Sequence, residues 1–600
     1  KSKLSSIRRI VGDNILEQLD FAVNKSLVIK YPIPGLDRED SATLKKWFIR
    51  HRHKRQLLLL GFEQNTIDDL IMTPFDIYLK CCDNPYKLHT IDVDMKKVLS
   101  KSLRTDDSIK NVAIGTILSK LSIILQKTSQ TYVDSLEFLN NIFDSLDDDL
   151  LDAIDTVVGD DREISDIFKI AIEDGFMFKL DSKNNRLYTT KTYFIESGTT
   201  EFLLRKRGSS GLDESNVKFS KISVLSEVQK SAITMALKGG VSIITGAAGT
   251  GKTTVIKTIV TALENNSSNY IITSFTGKAV CRLREVVGTE NSQIETMHMF
   301  INKGAGGFDW VIIDESSMVS AELFYRFIRR FRWNYNIIFV GDKCQLEPIG
   351  IGSLFKACID SNLFPRVDLK EVFRTNEDNL LENVDMMAKY ISGTINDMHF
   401  KTGPAFVQCD DLIETIEMVK EVGIPLDSVK VISPYNKTNT WINAESNKIW
   451  NNGKLIGSLR MMKKNDYENN IMNGTEGKVV SWDHNQKAMT LNFEGTLVSY
   501  GRDATVDKKT GSRGITIDNL VPSYAITIDS SQGSEWEVVI FYLPQGARAP
   551  FLNSKRLYTA LTRAKTVLYF VGSIEELTNL FHSIPLERNN SLLEMLVGSN

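Results

Sequence analysis

Cysteine patterning, long apolar runs and net charge are what this 600-residue chain lacks. Its six cysteines, Cys81, Cys82, Cys281, Cys344, Cys358 and Cys409, are scattered without a CxxC pair. That argues against a disulfide framework, a zinc ribbon or an iron–sulfur cluster, and implies a reducing, cytosol-like compartment. Histidines such as His89, His399 and His582 show no ligand spacing. No apolar stretch reaches the roughly 18 residues that span a bilayer, and Lys1-Ser-Lys-Leu-Ser-Ser6 has no signal-peptide core, so no membrane partner is expected. The formal charge is only −3, so any nucleic acid has to be held by a local groove and not by bulk charge. Internal repeats and low-complexity segments are absent as well. What remains, at 42% hydrophobic and 24% charged, reads as ordinary globular protein, too long for one core and divided into about three to five domains.

The pattern changes along the chain. Through Lys218, apolar-periodic stretches such as Val112–Leu125 and Val133–Leu151 read as packed helices. From Val241 onward, short apolar runs each end in a polar motif: Tyr270–Thr273, Trp310–Ile313, Ile337–Val340, Val429–Ile432, Tyr524–Thr527 and Val567–Val571. Such runs alternating with helices predict parallel sheets buried on both faces, with ligands gathered at the strand ends. Between Leu455 and Asp518 the signals become those of antiparallel strands, with Asn473-Gly474 as a hairpin turn followed by Gly477–Trp482, Ala488–Phe493 and Thr496–Tyr500. The expected fold is α/β: two parallel-sheet domains, an inserted small β-barrel and a mainly helical N-terminal region. The expected boundaries are helical domains at 1–105 and 106–218, a first α/β domain at 219–370 and a second at 371–454 plus 519–585. The barrel occupies 455–518, and 586–600 forms a tail.

Directly behind Val241-Ser-Ile-Ile-Thr245 stands Gly246-Ala-Ala-Gly-Thr-Gly-Lys-Thr253, a complete phosphate-cradling loop. Gly246, Gly249 and Gly251 let successive backbone N–H groups turn onto phosphates, Lys252 reaches the β and γ oxygens, and the Thr253 hydroxyl sits on Mg²⁺. A helix from about Thr254 would aim its positive end at the same anion. The strand Trp310–Ile313 then delivers Asp314 and Glu315, one carboxylate for the Mg²⁺ shell and one to polarise an attacking water. Gln345, in Gly341-Asp-Lys-Cys-Gln345, reads by itself as a turn residue, with contact to the γ-phosphate or its water as the alternative.

In this order, the loop, Asp314-Glu-Ser-Ser-Met318 and Gly341-Asp-x-x-Gln-Leu-x-Pro348 resemble superfamily 1 helicases of the RecD, Dda and TraI group, in particular the longer RecD-type proteins. Thr276-Gly-Lys-Ala-Val-Cys-Arg-Leu283, Thr296-Met-His298, Glu371-Val-Phe-Arg374, Ser433-Pro-Tyr435, Ser530-Ser-Gln-Gly-Ser-Glu-Trp536 and Leu557-Tyr-Thr-Ala-Leu-Thr-Arg-Ala564 fit the same family. The resemblance implies two RecA-like domains, ATP and Mg²⁺ as cofactors, and 5′-to-3′ movement on single-stranded DNA and at duplex junctions. It assigns Gln229 to adenine, Thr254 to the nucleotide site, Arg374 and Arg563 to the γ-phosphate from the second domain, and Thr276, His298 and Ser531 to the DNA strand. It also implies a role in replication, recombination or repair; the expected location is the cytoplasm, at the nucleoid for a bacterial or phage protein, or the nucleus or a viral replication site for a eukaryotic virus.

The chain departs from the family at several points. Phe275 stands where relatives have Pro, and Asp529-Ser-Ser-Gln-Gly533 replaces His-Lys-Ser-Gln-Gly, which should weaken phosphate attraction there. The short Ile301–Trp310 segment leaves little room for the strand-splitting β-pin of relatives, so translocation is a safer expectation than efficient unwinding. The insert with Asn465-Asp-Tyr467 resembles the Src-homology-3-like insert of the 5′-to-3′ branch. Near the N-terminus, Asn84-Pro-Tyr86 and Tyr193-Phe-Ile-Glu196 resemble the longer RecD-type proteins, yet Thr90–Met95 lacks the glycines of a DNA-gripping hairpin. That region is left between DNA binding, packing and contacts with replication or recombination proteins. The basic run Lys45–Arg55, with Trp47 and Phe48, reads as a solvated helix face or a nucleic-acid patch. Three other readings stay open: a non-motor subunit keeping the fold, a metabolic phosphotransferase, and an RNA helicase.

Overall fold

The computed structural model describes residues 121–138 and 178–598, apart from 122–123, 126, 136, 182, 210, 213–224, 289–292, 305–306, 332–333, 372–377, 467–468, 470, 494, 503–514, 548–551 and 584–589. The Lys45–Arg55 run, Asn84–Tyr86, Thr90–Met95 and Arg374 lie outside the described residues. The chain forms two units, one up to Tyr193 and one from Phe194 on. In the first, β1 (Tyr132–Asp134), β2 (Phe178–Asp181) and β3 (Arg186–Thr189) form an antiparallel sheet in the order β1-β3-β2. This small sheet was not anticipated in a region read as helical.

The second unit holds both parallel sheets. The first is built from β4 (Val241–Gly246), β5 (Tyr270–Ser274), β6 (Ile294–Thr296), β7 (Trp310–Ile313), β8 (Asn336–Gly341) and β9 (Arg366–Leu369), in the order β6-β5-β7-β8-β4-β9. All its pairings are parallel. Its central strands are buried along nearly their whole length, as the unbroken Val/Ile runs require when helices cover both faces. One face packs Phe324, Phe327 and Phe339, the other Ile256, Ile259 and Leu263.

The chain continues through β10 (Phe406–Cys409) and β11 (Val429–Ser433), then makes five antiparallel strands, β12 (Leu459–Met462), β13 (Glu476–Asp483), β14 (Ala488–Phe493), β15 (Thr496–Tyr500) and β16 (Leu520–Pro522). It returns with β17 (Ala525–Thr527), β18 (Trp536–Tyr542) and β19 (Ala564–Val571) to complete a second parallel sheet, β10-β19-β18-β11-β17. The insert, in the order β15-β14-β13-β12-β16, alternates buried and exposed residues along β14 and encloses its own core around Met462, Val479 and Leu491. Asn473-Gly474 does form a turn, with Gly474 at φ +90°, but it ends the 463–475 excursion and bonds back to Met462. A tight two-residue hairpin it is not.

Two segments cross the expected boundaries. The Thr190–Lys206 helix contributes Ile195, Phe202 and Leu203 to the first sheet's core, although 106–218 was read as a separate N-terminal domain. Within the segment read as a tail, the Leu592–Gly598 helix buries Leu592 and Leu596 in that same core. Among the described residues, no helix is long and apolar enough to cross a membrane.

Candidate active site

Strand β4 ends in the phosphate loop, and the Lys252–Asn265 helix follows it, starting two residues before the sequence reading placed it. Gly249 and Gly251 adopt φ +83° and +79°, which side chains resist, so the backbone can curl. Gly246 is needed for space: a Cβ there would stand 2.6 Å from Thr250 Oγ1 and 2.9 Å from the Leu369 carbonyl oxygen. Lys252 Nζ donates to the carbonyls of Gly246 and Ala247, each at 2.8 Å, and so spans the loop's mouth. Thr253 is half-buried and Thr254 exposed in the helix's first turn.

Gln229 is buried in the first turn of the Glu227–Leu237 helix, where its Oε1 accepts from Ser226 N and its Nε2 donates to the Thr250 carbonyl at 3.3 Å. The residue assigned to adenine therefore also braces the phosphate loop, using one of its two amide hydrogens and one of its two oxygen lone pairs.

Asp314 and Glu315 follow β7 at the sheet's C-terminal edge. Glu315 sits at φ +49°, a left-handed conformation costly for a residue with a side chain and concentrated at functional sites. Its Oε2 is buried without a hydrogen-bond partner, as is Oε1 of Gln345. Asp342, to which the sequence reading gave no role, is a third buried carboxylate, accepting from Cys344 N at 2.9 Å. Burial pushes all three carboxyls above the usual carboxylate range, and the Asp314 charge pushes Glu315 further. Lys252 opposes the shift at each, Arg563 at Glu315 and Asp342, and Arg282 at Asp314 and Glu315.

Arg563 reaches this group from the second sheet domain. It is only 2% exposed, and its Nε donates to the Thr559 carbonyl, one terminal nitrogen to the Ser534 carbonyl and the other to Thr562 Oγ1. The Ser554–Leu561 helix just before it clasps the turn that carries Gln345. Tyr558 donates to Asp342 Oδ2 at 3.0 Å, Thr559 Oγ1 accepts from Leu346 N at 3.2 Å, and Lys555 pairs with Glu347 at 2.8 Å. One helix thus positions both Arg563 and Gln345. Beside Gln345 a cavity of about 480 Å³ opens between the two sheet domains, lined also by Ser317, Lys343, Lys356 and Lys555. Tyr558→Phe keeps the ring and removes one hydrogen bond to a carboxylate, worth about 1.5 kcal/mol or more. Steady-state kinetics should show a loss of about tenfold in kcat/KM for ATP.

The three residues assigned to a nucleic-acid strand do not share one environment. Thr276 caps the Gly277–Val287 helix by accepting from Ala279 N, and it lies across from Gly533 of the second domain, whose Cβ would stand 3.0 Å from its hydroxyl. His298, in the first turn of the Met297–Lys303 helix, packs edge-on against Phe275 at 5.8 Å. Burial, with the Arg326 charge second, holds it below the usual histidine value and hence neutral at pH 7. Ser531 is fully buried and donates to the Ile528 carbonyl at 2.7 Å, which places it inside the second domain and not along an open groove. Its hydroxyl is spent tightening the short Ile528–Ser531 helix.

The altered Asp529 does not stand as a bare negative charge, because Arg556 holds it through two bonds of 3.0 and 3.1 Å. Nearby, Lys278 of the first domain lies 4.9 Å over the Trp536 ring, and the buried Lys430 lies 5.5 Å from the same ring. Lys430 also pairs with Glu476 of the insert at 2.6 Å. Met472 of the insert fills the space beside Gly277, where a Cβ would fall 2.0 Å from the methionine's own.

Residues 224–397 match the AAA domain family and residues 522–571 the UvrD-like helicase C-terminal domain. The chain is 28% identical over 397 residues to the ATP-dependent RecD2 DNA helicase of Deinococcus radiodurans, covering 62% of this chain and 52% of that protein. With the RecBCD enzyme subunit RecD of Mycobacterium tuberculosis it shares 23% identity, covering 58% of this chain and 69% of that one. The chain thus spans about half the length of its RecD2 relative. Among solved structures, a Pif1 helicase from Bacteroides in complex with ADP-AlF3 and ssDNA matches at a TM-score of 0.41 and 18% identity, over 60% of this chain and 95% of that one. From residue 224 to residue 571, then, the chain carries an AAA domain match and a UvrD-like helicase C-terminal match and is similar in sequence to RecD-type helicases.

Proposed function

We propose that the chain hydrolyses ATP to drive 5′-to-3′ movement along single-stranded DNA. The observation that carries this reading is the division of the hydrolytic groups between two domains: Lys252, Asp314, Glu315 and Gln345 on one side and Arg563 on the other. A site split this way is complete only when the cleft closes, so turnover and domain motion are tied together. The buried, unpartnered Oε2 of Glu315 is available to take a hydrogen bond from water, and Arg563 to neutralise charge developing on the γ-phosphate.

The residues fit Mg²⁺, which usually takes one or two carboxylates and completes its shell from phosphates and water. Among the described residues no cluster of three or more His, Cys, Asp or Glu forms a metal cage, while Asp314 and Thr253 can supply one carboxylate and one hydroxyl. Asp314 and Thr253 would hold it there, where the ion would supply positive charge against that of the phosphates. The Asp314 carboxyl, raised by burial, would be favoured in its ionised form by a cation held there.

A strand lying across Thr276 and the Gly533 turn would touch both domains and advance as the cleft works. Separating one base-pair step costs about 1.4 kcal/mol, well within one ATP, so geometry sets how well a duplex is opened. Among the described residues no strand lies between Lys303 and Trp310, consistent with translocation being the stronger activity. The N-terminal region is proposed as a contact for replication or recombination proteins.

The test is ATPase rate with and without single-stranded DNA, joined to strand displacement on duplexes carrying a 5′ or a 3′ tail. Stimulation by DNA and displacement from the 5′ tail are expected. No stimulation would remove the motor reading, stimulation by RNA alone would change the substrate, and displacement only from a 3′ tail would reverse the polarity.

A further inference from the structure

The first parallel sheet carries the phosphate loop and the catalytic carboxyls at the C-terminal ends of its strands. At the opposite edge, where β7 and β8 begin, a second pocket of about 360 Å³ opens, within the size range of sites that hold small molecules. Its lining includes Lys206, at the end of the Thr190–Lys206 helix, Asp309 and Trp310 at the entry to β7, and Asn334, Tyr335 and Asn336 at the entry to β8. The six residues of β4 put about 20 Å between this end of the sheet and the phosphate loop. The two sites share no residue.

Lys206 is what makes the pocket more than a surface dent. It is only 7% exposed, yet among the described residues nothing gives its ammonium a hydrogen bond or an ion pair. What it has is the Tyr335 ring, whose centroid lies 5.6 Å from Nζ. The contrast with Lys430 is direct: that buried lysine is compensated by Glu476 and by the Ser523 carbonyl, each at 2.6 Å. An uncompensated buried ammonium is costly, and burial accordingly lowers Lys206 below the usual lysine value.

The neighbouring groups add donors. Tyr335 is 3% exposed, and its hydroxyl too is buried without a hydrogen-bond partner. Asn336 has its Oδ1 engaged by Gly240 N at 2.7 Å, while its Nδ2 makes only a 3.5 Å bond to the Asp309 carbonyl and has a second hydrogen to give. A buried cation among unused donors is the complement of an oxyanion. The exposed rim sets a limit on its charge, because the Asp309 carboxylate stands there with Oδ2 accepting from Asn269 N at 3.1 Å. One lysine neutralises one charge, and Asp309 would repel a second. A carboxylate suits the pocket better than a doubly charged phosphate.

We propose that this pocket is a ligand site separate from the ATP site, taking a small molecule with a single carboxylate that pairs with Lys206 while its remaining atoms extend toward Asn334 and the rim. The proposal does not depend on the motor reading.

The test titrates two probes into the full chain by calorimetry: benzoate, and benzamide, which has nearly the same shape and no charge. Benzoate is expected to bind at least about tenfold more tightly, the ratio that a hydrogen bond to a charged group supports. Lys206→Met keeps an apolar stem and removes the charge. It should abolish the preference, leave benzamide binding unchanged and not lower Tm, since an uncompensated buried charge goes with it. Asp309→Asn can still accept from Asn269 N, and by removing repulsion at the rim it should tighten benzoate by about twofold.

A lysine that only lays its stem across Tyr335 and reaches water would give no preference between the probes. Equal or absent binding of the two, or benzoate affinity unaltered by Lys206→Met, overturns the proposal. Benzoate held instead at the phosphate loop would be indifferent to both substitutions and overturns it as well. Should Lys206→Met fail to fold, the parent ratio and Asp309→Asn decide: a ratio near one, or no tightening, refutes the site.

Discussion

Arg563→Ala should reduce ATP turnover by roughly 10³- to 10⁵-fold, the range for loss of an arginine that stabilises a phosphoryl-transfer transition state. That corresponds to about 4 to 7 kcal/mol of barrier. The size of the effect follows from how the guanidinium is held. Three of its five N–H groups are committed to Thr559, Ser534 and Thr562, which fixes the fork in one orientation and leaves two donors for a phosphate oxygen. A group held in place beforehand needs no reorganisation as charge develops, which is where electrostatic catalysis gains most. Arg563→Lys should recover little, because an ammonium cannot both satisfy the two carbonyls and face the phosphate. Single-turnover measurements at saturating ATP, with circular dichroism to establish folding, check this. A loss under tenfold in a folded variant would show that Arg563 serves only to pack the second domain.

Glu315→Gln is expected to have nearly as large a kinetic effect and an opposite effect on stability. Removing a positioned general base typically costs 10²- to 10⁴-fold in rate. In the nucleotide-free, metal-free protein, however, burial and then the Asp314 charge raise the Glu315 carboxyl above its ordinary range. A carboxyl raised in the folded state contributes stability that is fully present below its unfolded value and is lost as pH rises through the folded value. At neutral pH the native protein therefore carries this group at a cost, and Gln, similar in shape and uncharged, removes it. Thermal melts across the range from about pH 4 to 8 should show Glu315→Gln more stable at the upper end and less dependent on pH. An unchanged or lower Tm at pH 8 would contradict the picture of a site that trades stability for reactivity.

The sequence made some of this readable because the relevant signals are local. A phosphate loop is a contiguous arrangement of glycines behind an apolar run, so β4, the loop and the following helix could be placed within a few residues. Trp310–Ile313 was readable as a strand for the same reason, and with it Asp314 and Glu315 at its end. Short or half-exposed strands such as β6 and β9 were missed, since three or four residues hold too little periodicity to show.

Residues defined by distant partners were not legible at all. Asp342 and Tyr558 stood inside motifs already noticed, but nothing local indicates that they meet across 216 positions. Glu196 and Ser591, 395 apart, are a more extreme case. For Ser531 the motif suggested a strand-facing hydroxyl, and only tertiary packing shows that the hydroxyl bonds to the Ile528 carbonyl.

The hydrogen bonds of Lys252 also bear on which anions the loop favours. With two of its three ammonium donors satisfied by Gly246 and Ala247, Lys252 offers a passing anion only one more hydrogen bond. An inorganic phosphate would have to displace those carbonyls with little else to gain, whereas a triphosphate meets the loop amides, the lysine and the far-side arginine together. Held in this way, the loop is expected to favour ligands long enough to be bound at several points over small anions.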